Sequence, residues 1–503
     1  MSSASYRQIL RSSSIIGGAS VINIVVGLLR IKVAAVLLGP AGVGLIGLLT
    51  NLAGTASAVA GLGFGNVGTR QIAEAAGRND VAQVAAARRA LFWGTLVLAL
   101  TGCGVFWALR GVLAVHVLGD ASLAGDVGWL AVVVALTVAA SSQSALLNGM
   151  RRIGDMARVS VFSALLSTAL GVGTLLLWGR SGLLAFLIAG PLSSFLLGHL
   201  YVARLPRISS PPTPLPVLAG QWHRLASLGA AFMVAGLAGT LGQLVVRTLV
   251  QRQLGVDELG YFQAASTISL MYIGFVLGAM GADYYPRLTA AMHDHAAVNR
   301  MVNEQTEVAL LLAGPVFLAM LGLAPWVIEL LYSSSFQPAA NLLRLMVLGD
   351  ILKVASWPLG FIILAAGNGR TFVLTETLAM SVLVLITWAG IDKFGVVTTG
   401  LAFVAMYAVL LPIVYWLAFR KTGLRWSRAV QRQIAFLLLA ATVIMAIANR
   451  SLFAAAATGV VLCCVFGLHS LMKLSDKVGL PSPLAKFIEP VCSALKKIGI
   501  SRD

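Results

Sequence analysis

The chain has 503 residues, 58% of them hydrophobic and only 11% charged, with a formal net charge of +18 and a mean hydropathy of +0.90. This excludes a soluble globular domain, because apolar runs of about 20 residues, each enough to cross a bilayer as a helix, recur along most of its length. Spanning strands would alternate over about ten residues instead, so the chain reads as an all-α polytopic membrane protein.

The predicted spans, in chain order, are 14–38, 43–69, 90–109, 127–148, 157–178, 182–203, 224–252, 259–285, 303–323, 338–366, 371–391, 396–419, 432–449 and 452–473. The first begins near Ser14, behind Arg7 and Arg11. It is too long for a signal peptide and further runs follow it, so it reads as a membrane helix. With the N-terminus in the cytoplasm, 26 of the 36 Lys and Arg residues fall in inside segments or at the span ends bordering them. The outside loops hold four, Arg110, Arg180, Lys393 and Arg450. That asymmetry is the positive-inside rule; it explains the basicity without a nucleic-acid partner and places both termini in the cytoplasm.

The sequence repeats itself. Leu38-Gly39-Pro40-Ala41-Gly42-Val43-Gly44 follows the first span, and Leu254-Gly255-Val256-Asp257-Glu258-Leu259-Gly260 follows the seventh, 216 residues later. Arg70 matches Arg287 at 217, and the segment around Gly149 resembles that around Gly367 at 218. Ordered matches at a near-constant offset mark a duplication. Six spans per half return the chain to the same side, so the halves are expected to be parallel, related by an axis along the membrane normal. The expected divisions are a six-helix lobe at 1–204, a proline-rich cytoplasmic linker at 205–222, a second six-helix lobe at 223–420, two additional spans at 421–473 and a basic cytoplasmic tail at 474–503. Within the tail, Pro483 to Ile498 mixes apolar and Lys residues in the manner of an interfacial helix.

Arg30 lies about fifteen residues into the first apolar run, and Arg247 occupies a similar place in the seventh, 217 residues later. A cation at that depth costs roughly 2.5–3.5 kcal/mol on insertion scales, so it faces a protein interior or a watery cavity, or snorkels to the interface. Asn23 and Gly27 share the face of Arg30, and Gln243 that of Arg247, so each helix carries a polar stripe ending in arginine. The guanidinium fork suits phosphate oxygens and keeps its charge. The pair therefore points to an anion site between the halves, with Lys32, Arg252 and Lys353 as further candidates. Asp350 is three residues before Lys353, either as an internal ion pair or as a group that couples transport to an ion. Arg344 reads as interfacial. Gly61, Gly63 and Gly65 in the second span, and Asp283 near the end of the eighth, are candidate gate residues. The glycines serve tight helix packing equally well. Pro286, Pro315, Pro358 and Pro412 mark expected kinks.

No catalytic constellation, Walker sequence or metal-ligand spacing appears, and no cofactor is implied. His293 and His295 lack cysteine partners in sequence, and the four cysteines form no disulfide framework.

Three segments carry a resemblance: Ser13-Ser14-Ile15-Ile16-Gly17-Gly18, Leu38 to Leu45, and Arg70-Gln71-Ile72-Ala73. They resemble O-antigen and related polysaccharide flippases of the multidrug/oligosaccharidyl-lipid/polysaccharide exporter superfamily. The resemblance is clearest over 12–90 and extends through hydropathy and the repeat to about residue 420. It implies two six-helix lobes around a central cleft, a multi-pass location in the bacterial inner membrane, and transfer of an undecaprenyl-diphosphate-linked oligosaccharide between leaflets. It also implies cations on the first and seventh helices, here matched by Arg30 and Arg247, with membrane lipids and a polysaccharide polymerase complex as partners. A peptidoglycan-precursor (lipid II) flippase is the alternative within the superfamily. A cation-coupled multidrug exporter is a third reading, weakened because no Asp or Glu precedes Glu74. A membrane polymerase or glycosyltransferase is a fourth, opposed by the duplication and the lack of a large outside loop.

Overall fold

The computed structural model describes residues 3–78, 80–206 and 215–478. These residues form helices α1 (Ser3–Ala60), α2 (Phe64–Gly77), α3 (Val81–Ala108), the single turn α4 (Arg110–Leu113), α5 (Ala124–Gly149), α6 (Ile153–Trp178), α7 (Leu183–Ala203) and α8 (Leu215–Leu254). They continue through α9 (Val256–Ala290), α10 (His295–Leu331), α11 (Ala339–Ala365), α12 (Gly369–Phe394), α13 (Val397–Thr422), α14 (Arg428–Ala448) and α15 (Leu452–Val478). Among the described residues there is no strand, and the all-α polytopic class holds.

Among the described residues, eleven helical segments are long and apolar enough to cross a membrane. Ile153–Ala203 contains two of the expected spans, Gly17–Ala60 covers most of the first two, and α8 covers the expected seventh. Leu100, Leu176, Leu177 and Leu330 are all more than 60% exposed, as side chains bathed in lipid must be. The chain is a multi-pass membrane protein.

Local chemistry accounts for the breaks. Where a loop is expected after the first span, α1 only kinks, at Gly39 (φ 65°, ψ −169°). The residue before a proline avoids helical backbone, glycine accepts the left-handed φ, and Pro40 then opens the next helix without needing its missing N–H. The expected second span, 43–69, is interrupted instead at Gly61-Leu62-Gly63, where Leu62 (φ 44°) and Gly63 (φ 64°) are left-handed. The linker is shorter than expected: α8 begins at Leu215, with Pro216 tolerated in its first turn. Residues 207–214 and 479–503, including the expected interfacial helix of the tail, lie outside the described residues.

The backbone shows the duplication more regularly than the residues do. Gly39 and Gly255, Arg151 and Gly367, and Gly179 and Gly395 all have positive φ, each pair 216 apart. The turns agree bond for bond: Met150, Arg151 and Arg152 N–H donate to the carbonyls of Leu146, Asn148 and Leu147, as Ala366, Gly367 and Asn368 donate to Ile362, Leu364 and Ile363. In that register Arg30 corresponds to Val246, and Arg247 to Ile31. The two arginines are thus one residue out of step, about 100° around a helix.

The chain forms two compact units. The first comprises Met1–Gln263, Glu329–Phe336 and Thr387–Val396. In it α1 packs on α5, α6 and α8, and α5 packs on α3 and α7. The core at one end gathers Phe64, Val67, Ile72, Leu91, Leu147 and Leu225. The second comprises Ala264–Ile328, Gln337–Ile386 and Val397–Asp503. Here α11 packs on α13 and α14. Helix α15 meets α10 where Gly322 and Gly459 face each other, each too close to the other's backbone to admit a Cβ.

Candidate anion-binding site

Arg30, in the first arm of α1, is turned toward α6 and α7. Its Nη2 donates to the Phe186 carbonyl at 2.8 Å and its Nη1 to Ser167 Oγ at 3.4 Å. The guanidinium carbon lies 4.2 Å from the centroid of the Phe186 ring, and Nε is buried without a partner. One heptad earlier, Asn23 Nδ2 donates to Ser160 Oγ at 2.6 Å. Residues seven apart on α1 therefore meet residues seven apart on α6.

Arg247, in α8, is 6% exposed. Its Nε donates to Gln263 Oε1 at 3.2 Å, and its Nη1 to the carbonyl of Gln243 at 3.3 Å and to Gln243 Oε1. The Phe262 ring centroid lies 5.4 Å from its guanidinium carbon. The Gln263 amide lies where a Cβ on Gly47 would stand, which ties this cluster to the second arm of α1. Arg30 and Arg247 share no partner among the described residues; each has its own cradle within the first unit.

Neither arginine meets a carboxylate among the described residues. Their oxygens are hydroxyl, amide and carbonyl, which hold the fork in place without neutralising it. An enclosed cation without a counter-charge costs several kcal/mol, and an approaching anion recovers part of that. Five N–H donors per guanidinium leave some unused in each cradle. Chemically, the arrangement offers two fixed cations at membrane depth to a ligand carrying phosphate charge.

The remaining candidates are dispersed. Lys32 Nζ donates to the Glu329 carbonyl at 2.8 Å, and Arg252 Nη1 to the His116 carbonyl at 3.2 Å, both exposed contacts in the first unit. Lys353 and Asp350 belong to the second unit. They form no direct ion pair: Asp350 Oδ2 accepts from Ser269 Oγ at 2.7 Å and from Tyr272 OH at 2.6 Å, while Oδ1 is buried without a partner. Lys353 Nζ lies 6.0 Å from the Tyr407 ring centroid and lines a cavity of about 280 Å³ with Glu376, Trp357 and Phe361. Gly61 and Gly63 sit at the break before α2, where the Gly63 Cα lies against the Gly229 backbone; Gly65 is inside α2 with room for a Cβ. The side chain of Asp283 lies outside the described residues.

Arg344 corrects an expectation. It is 3% exposed, not interfacial, and its Nε donates to the Leu321 carbonyl at 3.0 Å. Pro325, four residues on in α10, has no N–H for that carbonyl, so the arginine fills a vacancy the proline creates.

The model of the polysaccharide biosynthesis protein family matches residues 33–341, well over half the chain. The chain belongs to the polysaccharide biosynthesis protein family. Among curated relatives, a lipid III flippase from Escherichia coli (strain K12) is 25% identical over 415 residues, covering 78% of this chain and 94% of that one. A lipid III flippase from Shigella flexneri matches equally. Among solved structures, the lipid II flippase MurJ in an inward closed conformation aligns with a TM-score of 0.65 at 11% identity, covering 93% of this chain and 99% of that one. An inward-facing multidrug resistance transporter of the MATE family and MOP superfamily aligns at 0.62 and 16% identity, covering 82% and 96%. These structural likenesses establish the fold of this family member.

Helix spacing singles out Asn23 and Gln243 as companions of the arginines. Ser167, Phe186 and Gln263 emerge only in three dimensions, as do the hydroxyls of Ser269 and Tyr272 around Asp350. One signal for Ser167 is present in the sequence: its seven-residue spacing from Ser160 repeats that of Arg30 from Asn23.

Proposed function

We propose that this protein moves an undecaprenyl-diphosphate-linked oligosaccharide from the cytoplasmic to the outer leaflet of the bacterial inner membrane by alternating access. The observation that carries the reading is the pair of enclosed arginines, Arg30 and Arg247, held by neutral oxygens alone. A diphosphate diester supplies the missing negative charge. Membership of the polysaccharide biosynthesis family and the likeness to lipid III flippases support a lipid-linked cargo, and the chain acts as a transporter rather than an enzyme.

No Walker sequence is present, so the driving force comes from gradients, the membrane potential or removal of product. Outward movement of about two negative charges is favoured by roughly 4–5 kcal/mol at 100 mV, provided the arginines do not cross the field with them. Asp350 is the coupling acid if they do.

The test is outward flipping of a labelled undecaprenyl-diphosphate oligosaccharide in proteoliposomes, with lipid II as the comparison cargo. The expected result is transport of the oligosaccharide that slows when the potential is dissipated and is lost in Arg30→Ala. Transport of lipid II alone would reassign the cargo. A rate that follows the pH gradient and disappears in Asp350→Asn would replace electrical driving with proton antiport.

A further inference from the structure

A second cavity lies in the first unit, among α3, α5 and α7, and nothing in the proposed transport cycle uses it. Its volume is about 690 Å³, within the range of small-molecule pockets. One end is basic, with Arg88 and Arg89 near the start of α3 and His199 near the end of α7. The body is apolar, lined by Phe92, Leu96 and Ala99. Phe92 and Leu96 are 60% and 38% exposed, so the cavity opens along the lipid-facing side of α3.

Three observations identify an occupant. The first is level. Arg88 and Arg89 lie about one helical turn before the edge-to-face pair Phe92 and Trp93, the basic-then-aromatic order of a helix entering the headgroup region. The second is length. Arg88 and Ala99 are eleven residues apart on one helix, about 16 Å, which is half the hydrocarbon thickness of a bilayer. A molecule held at the arginines and lying along α3 therefore reaches the depth of a single leaflet. The third is unmet hydrogen bonding. Thr95 lines the cavity at 6% exposure, and its hydroxyl has no partner, whereas Thr101 in the same helix returns its hydroxyl to the Val97 carbonyl at 2.8 Å.

We infer that this cavity is a binding site for an anionic glycerophospholipid of the leaflet at the Arg88 end, the cytoplasmic leaflet in the positive-inside orientation. The phosphate sits at Arg88, Arg89 and His199, an acyl chain follows Phe92, Leu96 and Ala99, and the Thr95 hydroxyl donates to a glycerol ester carbonyl. Arg88 already reaches the Pro206 carbonyl at 3.4 Å through one Nη, which orients its fork and leaves further donors for phosphate. The inference does not depend on the cargo of the transport cycle.

Native mass spectrometry of the full chain, released from nanodiscs of mixed phosphatidylglycerol and phosphatidylcholine, tests it. The expected result is one retained phosphatidylglycerol, with occupancy falling about tenfold for each of Arg88→Gln and Arg89→Gln. Arg30→Ala should leave that occupancy unchanged, which separates this site from the transport site. Equal retention of phosphatidylcholine, or unchanged occupancy in the double variant, overturns the proposal. So does displacement of the lipid by undecaprenyl diphosphate at equal concentration, which would make the cavity a cargo site. Because a variant can fail by misfolding, the unaltered protein is also photolabelled with phosphatidylglycerol carrying an acyl-chain diazirine. Labelling of α3 between Phe92 and Ala99 supports the site; labelling confined to other helices overturns it.

Discussion

Arg247 offers the sharpest test of whether the arginines serve stability or cargo. Replacing it with Met keeps most of its volume and removes the charge. On the stability side, the side chain gives up its hydrogen bonds to Gln243 and Gln263. Charge-assisted bonds contribute about 1.5–3 kcal/mol each, yet enclosing an unpaired cation costs several kcal/mol, so the two effects largely cancel. The net change expected is within about 1 kcal/mol, a shift of a few degrees or less in melting temperature for a chain this long. On the transport side, loss of a charge-assisted contact to phosphate weakens cargo engagement by the same 1.5–3 kcal/mol, roughly 10- to 150-fold. The assay pairs thermal unfolding in nanodiscs with flipping of the labelled lipid-linked oligosaccharide. A melting temperature near the unaltered value with flipping reduced at least tenfold supports the anion site. Arg247→Lys should recover part of the rate, since the charge returns without the fork. A large drop in melting temperature with flipping intact would show that Arg247 is structural and would sink the argument.

Further outcomes follow from the local geometry. Gly63→Ala should destabilise by roughly 1–2 kcal/mol from its left-handed backbone alone, with more from the Gly229 carbonyl, which the added carbon would strike; Gly65→Ala, whose nearest neighbour would be 3.8 Å away, should melt normally. Asp155, 7% exposed in the first turn of α6, accepts from Arg152 Nε at 2.6 Å and Arg158 Nη1 at 3.1 Å. Asp155→Ala should cost about 1–3 kcal/mol, and Arg152→Ala, which removes a half-exposed partner, under about 1 kcal/mol, both read from thermal melts. Asp294 caps α10 by accepting from the N–H groups of Ala297 and Ala296, and these bonds hold its carboxyl below the ordinary value of 3.8. A depressed value means that the cap contributes fully above the ordinary carboxylate range and is lost as pH falls through the lowered value. Protection factors at Ala296 and Ala297, referred to the intrinsic exchange rate at each pH, should fall over that acid window, and Asp294→Ala should abolish that fall.

What the sequence by itself determines here is local. Twenty apolar residues in a row specify a membrane helix, whatever lies beside it, because no backbone group can be left unpaired in hydrocarbon. Gly39 before Pro40 dictates a break in regular helix after the first span, and the glycines at 255 and 367 report the duplication, because only neighbouring backbone atoms decide which residues tolerate a left-handed φ. Partnerships depend instead on how each helix is rotated about its axis, and a shift of one residue turns a side chain by about 100°. That is why Arg30 and Arg247, similarly placed along their spans, prove to be one step out of register and occupy separate cradles. It is also why Asp350 turns to Ser269 and Tyr272 rather than to Lys353, three residues away on its own helix. Arg344 shows the same dependence: its place in the sequence resembles a helix end, but Pro325 on another helix leaves a carbonyl that only a packed neighbour can reach. The cavity among α3, α5 and α7 has no signature in the chain, since its walls come from three segments spread between residues 85 and 203 and exist only once those helices pack.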